Sequence, residues 1–304
     1  MVRVPTQTRI PLDVLVIHGR EPGPVMWMSA AIHGDEINGI EIIRQVVGHL
    51  DARSLCGTVL AIPVVNALGV LNHSRYLPDR RDLNRNFPGS PRGSLASRVA
   101  HAFMTQIVAR CTHGIDFHSA AVPRDNLPQV RCEFANEEAL RMAHAFAAPV
   151  ILHAEIRQGS LRQAAERAGI PTLLYEAGEP LRFNRRAIET GVNGALRVMS
   201  ELGMIEEAPA PASWNSTQLH SSNWVRAPRG GMMRLDVELG DHVVNRQRVG
   251  EISGPLGEGA RSIFAPVSGM VIGIGRNPLV HQGDGILHIG HPEAGEDEDA
   301  DEEQ

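Results

Sequence analysis

The chain of 304 residues contains no lysine; all 29 of its basic residues are arginine. That absence excludes every chemistry that needs a primary amine on a side chain. There can be no Schiff base, no pyridoxal-phosphate anchor, no P-loop lysine, and no attachment point for biotin or lipoate. An arginine-biased genome accounts for the absence without any functional cause. Cysteine is also scarce. Cys56, Cys111 and Cys132 form no CxxC pair, and an odd count makes a poor disulfide framework, so reduced thiols are expected. Tyrosine occurs only at Tyr76 and Tyr175. No apolar run approaches the ~20 residues that span a bilayer, and the first residues lack the charged-then-apolar pattern of a secretion signal. The expectation is a cytoplasmic protein with no membrane contact.

Negative charge is unevenly spread. The segment 292–304 holds eight of the 35 acidic residues and no base, so the chain before it carries about +2 rather than the formal −6. A near-neutral body gives no basis for nucleic acid binding. The segment itself is too charged and too poor in apolar residues to fold, and reads as a disordered acidic tail.

What is present is an alternation of apolar runs and helical periodicity. Residues 25–32 (VMWMSAAI), 57–65 (GTVLAIPVV), 115–118, 150–153 and 171–175 are strand-like. Residues 38–50, 94–111, 137–147, 161–168 and 184–202 repeat apolar residues at helical spacing, as in Ile40, Ile43, Val46, Val47 and Leu50. Strands alternating with helices predict an α/β fold with a mostly parallel mixed sheet flanked by helices. Composition changes at 206–213 (EEAPAPAS), which reads as a linker. Beyond it, short β-type runs separated by glycine predict a smaller all-β module over 214–291. The expected organisation is therefore an α/β domain at 1–205, the linker, the β module, and the tail.

In open α/β sheets ligands sit beyond the carboxyl ends of strands, and three polar motifs fall there. His33-Gly34-Asp35-Glu36 follows the first apolar run; an imidazole and a carboxylate three residues apart can converge on one ion, although such pairs also arise by chance. Asp116-Phe117-His118 closes another strand. His118 can supply a third ligand or be a hydrogen-bonded core histidine, and Asp116 can hold an imidazole or merely form a turn. Glu176 ends the strand containing Tyr175; it can accept a proton at a cleft or be the acid at a helix N-terminus. Between these lies Arg80-Arg81-Asp82-Leu83-Asn84-Arg85-Asn86-Phe87-Pro88-Gly89, whose guanidinium forks suit a carboxylate or a developing oxyanion but would also suit a solvated loop.

HGDE, DLNRNFPG, DFH and a strand ending in glutamate, in that order, resemble the succinylglutamate desuccinylase/aspartoacylase family, which is related in fold to the zinc carboxypeptidases. The resemblance spans residues 25–290. It implies one Zn2+ per chain held by His33, Glu36 and His118, with Glu176 as general base. It implies that Asn84 and Arg85 orient the substrate and that Arg75 polarises the scissile carbonyl. Arg80 remains an alternative for that role, because the spacing from Arg75 to Asp82 is longer than in aspartoacylase. Arg162 and Arg167 are candidates for a second substrate anion. The implied activity is hydrolysis of the amide bond of a small N-acyl amino acid or related N-acyl amine, a metallocarboxypeptidase acting on a peptide C-terminus being the alternative. The absence of tyrosine from the C-terminal module argues against simply taking N-acetylaspartate as substrate.

Within that module, Gly240-Asp241-His242-Val243 and the run 263–271 (IFAPVSGMV) resemble the barrel-sandwich hybrid fold of biotinyl and lipoyl domains. With no lysine to modify, the module is expected to wall the cleft, or to form the contact of a homo-oligomer.

Overall fold

The computed structural model describes residues 2, 3, 7, 9–210 and 212–292. Of the segment expected to be an acidic tail, 293–304 lies outside the described residues, as does position 211 of the expected linker.

The architecture is α/β, built on a mixed sheet of twelve strands. Its parallel centre consists of the strands Cys56–Ile62, Glu21–Ala30, His113–His118 and Thr172–Gly178, side by side in that order. Leu15–His18 pairs antiparallel outside Cys56–Ile62. On the other side, Arg124–Cys132 runs antiparallel to Thr172–Gly178 and parallel to Val150–His153.

Alternation along the strands assigns the two faces of the sheet. Met26, Met28 and Ala30 join one buried cluster with Ile115, Phe117, Val130 and Tyr175, under the helices Asn38–His49, Glu137–Phe146 and Arg185–Glu201. Trp27 points the other way, into a second cluster with residues of Leu95–Gln106 and Leu161–Arg167. The helices start where side chains can receive their first N–H groups. Ser94, Asn136, Ser160 and Asn184 each accept a backbone N–H three residues on.

The C-terminal strands form two sheets. Arg261–Phe264, Arg248–Ser253, Gly231–Leu235 and Leu279–Val280 make an antiparallel four-stranded sheet. Ser221–Arg226, Gly285–His291 and Gly269–Gly275 make the other group, and it continues the large sheet. Gly269–Gly275 pairs antiparallel with Arg124–Cys132, with Gly273 opposite Asn126. Glycine is required at that seam: a Cβ on Gly273 would stand 2.8 Å from Asn126 Oδ1 and 3.1 Å from the Cβ of His288. Leu127, Val150, Leu152, Leu219 and Ile272 form a small core across the same junction.

Like Leu15–His18, Arg124–Cys132 is a strand that periodicity did not reveal. Its sequence, RDNLPQVRC, is polar and carries Pro128, and its pairing shifts register between Asn126 and Gln129, where proline would interrupt a regular ladder. Among the described residues no helix is long and apolar enough to cross a membrane.

Candidate active site

The HGDE segment folds as a tight turn beyond the end of Glu21–Ala30, closed by the N–H of Glu36 donating to the His33 carbonyl at 3.1 Å. Gly34 is obligatory there, since a Cβ would collide with the backbone of Gly69 at 1.9 Å. The turn brings the side chains of His33 and Glu36 together, and His118, at the end of a neighbouring parallel strand, meets them from the side.

The three side chains are buried and converge. His33 Nδ1 lies 2.6 Å from Glu36 Oε1, and His118 Nδ1 lies 2.8 Å from Glu36 Oε2. Their potential donor atoms all lie within 4.8 Å of one another. The outer nitrogens are held by other carboxylates. His118 Nε2 is 2.8 Å from Asp116 Oδ2, and His33 Nε2 is 3.0 Å from Asp82 Oδ1. Asp116 is fixed in turn by the Ser29 hydroxyl, which donates to Oδ1 at 2.7 Å. With the Nε2–H of each ring donating to an aspartate, each Nδ1 lone pair is available to a cation bound between the two rings and Glu36.

Burial disfavours charge on all three groups, but their partners outweigh it. Asp116 and Glu36 raise the proton affinity of His118 well above the ordinary imidazole value, and Glu36 and Asp82 raise that of His33. The two rings hold the Glu36 carboxyl far below the usual range. This is an enclosed place that retains positive charge.

Asp82 does double duty. Besides His33, it accepts from Arg75 Nε and Nη2 at 3.2 and 2.9 Å, while Arg75 Nη1 reaches Glu36 Oε1 at 3.2 Å. Arg75 thus enters the cleft beside the His–Glu–His cluster, whereas Arg80 is exposed and does not line it. Asn84 is buried, its Oδ1 accepting from the N–H of Leu161 at 2.8 Å. Arg85 lies next to it, with Nη1 donating to the Asn84 carbonyl. Arg162 reaches the same cleft and donates from Nη2 to the carbonyls of Ala154 and Glu155. Burial lowers the proton affinity of both Arg85 and Arg162, yet guanidinium remains charged at any ordinary pH.

The structure does not bring Arg167 to the cleft, contrary to the expectation that it could meet a substrate anion. It sits exposed at the last turn of Leu161–Arg167. The reason is helical geometry: five positions on from Arg162 is a rotation of about 140°, so the two side chains cannot share a face.

Sheet register delivers Glu176. It is paired with His118 on one side and Gln129 on the other, so all three side chains project from the same face in one row. Glu176 Oε2 lies 2.9 Å from Arg131 Nη2.

His33, Glu36, His118, Arg75, Arg131 and Glu176 line one cleft of about 600 Å³. Six arginines face it (Arg75, Arg85, Arg124, Arg131, Arg157, Arg162) against three carboxylates, Glu36, Glu155 and Glu176. The far wall comes from the C-terminal strands. Trp224 stacks on His288 with ring centroids 4.4 Å apart, and the Arg124 guanidinium lies 4.2 Å from the Trp224 centroid. His288 is pushed down to about 3 by burial and by Arg131, Arg124 and Arg157, so it is a neutral ring.

Sequence reasoning assigned no role to Asp82, Arg131, Gln129, Arg124, Trp224 or His288. Asp82 lay inside the DLNRNFPG motif and could have been asked for a partner. The others carry no local signal.

Comparison with known proteins follows the same outline. The profile described as the succinylglutamate desuccinylase/aspartoacylase catalytic domain matches residues 22–202. A protein of Halomonas elongata named N-alpha-acetyl-L-2,4-diaminobutyric acid deacetylase is 28% identical over 269 residues, covering 82% of this chain and 75% of its own. Among solved structures, a succinylglutamate desuccinylase/aspartoacylase from Rhodobacter sphaeroides is 25% identical with a TM-score of 0.82, covering 92% of this chain and 89% of its own. The ectoine utilization protein EutE (DoeB) from Ruegeria pomeroyi, in its product-bound form, shares the fold at 22% identity and a TM-score of 0.83, with the same coverage.

Proposed function

The chain belongs to the succinylglutamate desuccinylase/aspartoacylase family, and on that premise we propose that it is a zinc-dependent hydrolase cleaving the amide bond of a small N-acyl amino acid. One observation carries the reading: the Nδ1 atoms of His33 and His118 meet the two oxygens of Glu36, while both Nε2 atoms are held by aspartates. Two imidazoles and a carboxylate are a donor set suited to catalytic zinc, and the held outer nitrogens are what such ligands require. Bound there, zinc supplies Lewis acidity, which makes an amide carbonyl more electrophilic and water a stronger acid near neutral pH.

The chain's own residues do the rest. Glu176 takes a proton from the attacking water and returns it to the departing nitrogen, leaving a carboxylate and a free amine. Arg75, oriented by Asp82, points N–H donors at the oxygen on which negative charge develops. Asn84 and Arg85 hold the carboxylate of the amino acid half, Arg85 by a charge-assisted fork. Arg162 adds positive charge for a second anionic group.

The bounded cleft, with Ser222, Trp224 and His288 closing one side, favours a small N-acyl compound over a peptide C-terminus. The test is a panel assayed for amine release by zinc-loaded protein: N-acetyl and N-succinyl derivatives of acidic, neutral and basic amino acids, including N-acetyl-2,4-diaminobutyrate, beside dipeptides. Preference for an N-acyl amino acid is expected. Faster cleavage of the dipeptides would replace this reading with the carboxypeptidase one, and a protein that takes up no zinc would remove the metal from it.

A further inference from the structure

Glu176 is half-buried on a strand, with several rotatable bonds between backbone and carboxylate. Left unattached, such a side chain loses rotamer freedom when it is fixed for proton transfer. The structure shows what fixes it. Arg131 Nη2 engages Oε2 at 2.9 Å. Arg131 is oriented by Gln129, whose Oε1 accepts from Arg131 Nε at 3.2 Å. Gln129 is fully buried, and its Nε2 donates to the carbonyls of Leu127 and Ile272, each at 3.2 Å. Only the amide NH₂ can serve two carbonyls, so the side chain has one orientation and its oxygen must face Arg131. Ile272 belongs to Gly269–Gly275, the C-terminal strand that extends the large sheet.

We propose that Arg131 is a positioning residue for Glu176, and that the chain Ile272 carbonyl–Gln129–Arg131–Glu176 makes the C-terminal strands part of the machinery that aims the proton-transfer group. The proposal rests on the reading of Glu176 as that group. It gives Glu176 Oε2 to Arg131 and leaves Oε1 to handle the proton. Two of Arg131's donors are committed, Nε to Gln129 and Nη2 to Glu176.

The experiment is steady-state kinetics on the zinc-loaded Arg131→Met, Arg131→Lys and Gln129→Leu variants, with the substrate preferred in the panel. Arg131→Met should lower kcat by up to about 10²-fold, as for a misplaced reacting group, with KM little changed and full zinc content. Guanidinium ion added to that variant should restore part of the loss. Arg131→Lys should fall between it and the parent, and Gln129→Leu should lose less than Arg131→Met. In a Glu176→Gln background, Arg131→Met should cost nothing further. A higher KM at unchanged kcat would make Arg131 a substrate ligand and overturn the proposal. Full activity of Arg131→Met beside an inactive Glu176→Gln would sink the positioning role alone, whereas an active Glu176→Gln would remove the general base and this proposal with it. A readout independent of turnover is the crystal structure of metal-free Arg131→Met: the Glu176 carboxylate should leave its place, and an unmoved carboxylate counts against the chain of contacts.

Discussion

The two sides of the cleft are made by different means. On one side, the turns after parallel strands bring buried charges together, and nearly every charge there has a partner: Glu36 lies between two imidazoles, and Asp82 lies between His33 and Arg75. On the other, the C-terminal strands supply a stacked, largely uncharged surface, with Trp224 against a neutral His288. The first arrangement concentrates field and can hold a cation. The second shapes space and sets what fits. Substitutions on the first side should therefore act on metal content and turnover, and those on the second on stability and selectivity.

The largest effect expected is on the side of the buried charges. His118→Ala should reduce zinc from one ion per chain to nearly none by elemental analysis and abolish amide cleavage; a full complement of metal would disprove the ligand assignment. Glu176→Gln should keep its zinc and lose turnover by about 10²-fold or more. Retained turnover would leave the base unidentified and erase much of the contrast between the two sides.

Effects on the C-terminal side should be smaller and of another kind. Gly273→Val adds atoms where Asn126 and His288 leave no room, and should cost about 1–3 kcal/mol of stability by overpacking, visible as a lower Tm with metal binding intact. The effect that is smallest near neutral pH, because it is felt only in acid, is one of protonation. Because burial and the nearby arginines push His288 down to about 3 in the folded protein, the unfolded chain takes up its proton first as pH falls below about 6.5. Stability from this group is complete above about 6.5 and declines as pH drops toward 3, by up to about 1.4 kcal/mol per pH unit. His288→Phe keeps a ring against Trp224 and should flatten that part of the stability–pH curve in urea melts. An unchanged curve would show that the ring accepts a proton without penalty.

The alternation of apolar runs and helical stretches was enough to anticipate the α/β fold, because helices and buried strands are declared by spacing within a few residues. The His33–Glu36 pair was visible for the same reason. Asp116 stood two residues from His118 with both roles open, and the structure puts it on the imidazole. Arg131 and Gln129 could not be read, because their meaning depends on which residue stands opposite in another strand, and the strand bearing them is polar and broken by Pro128. Arg162 and Arg167 looked equivalent only as neighbours in the sequence; the helix separates them by a third of a turn or more.

The continuity of the large sheet through the Gly273–Asn126 pairing bears on how the protein can be handled and cut. Removing everything beyond residue 205 would leave the backbone of Arg124–Cys132 with part of its outer ladder bare, its N–H and C=O groups ready to pair with any strand that arrives. A truncated chain of that kind would be expected to aggregate.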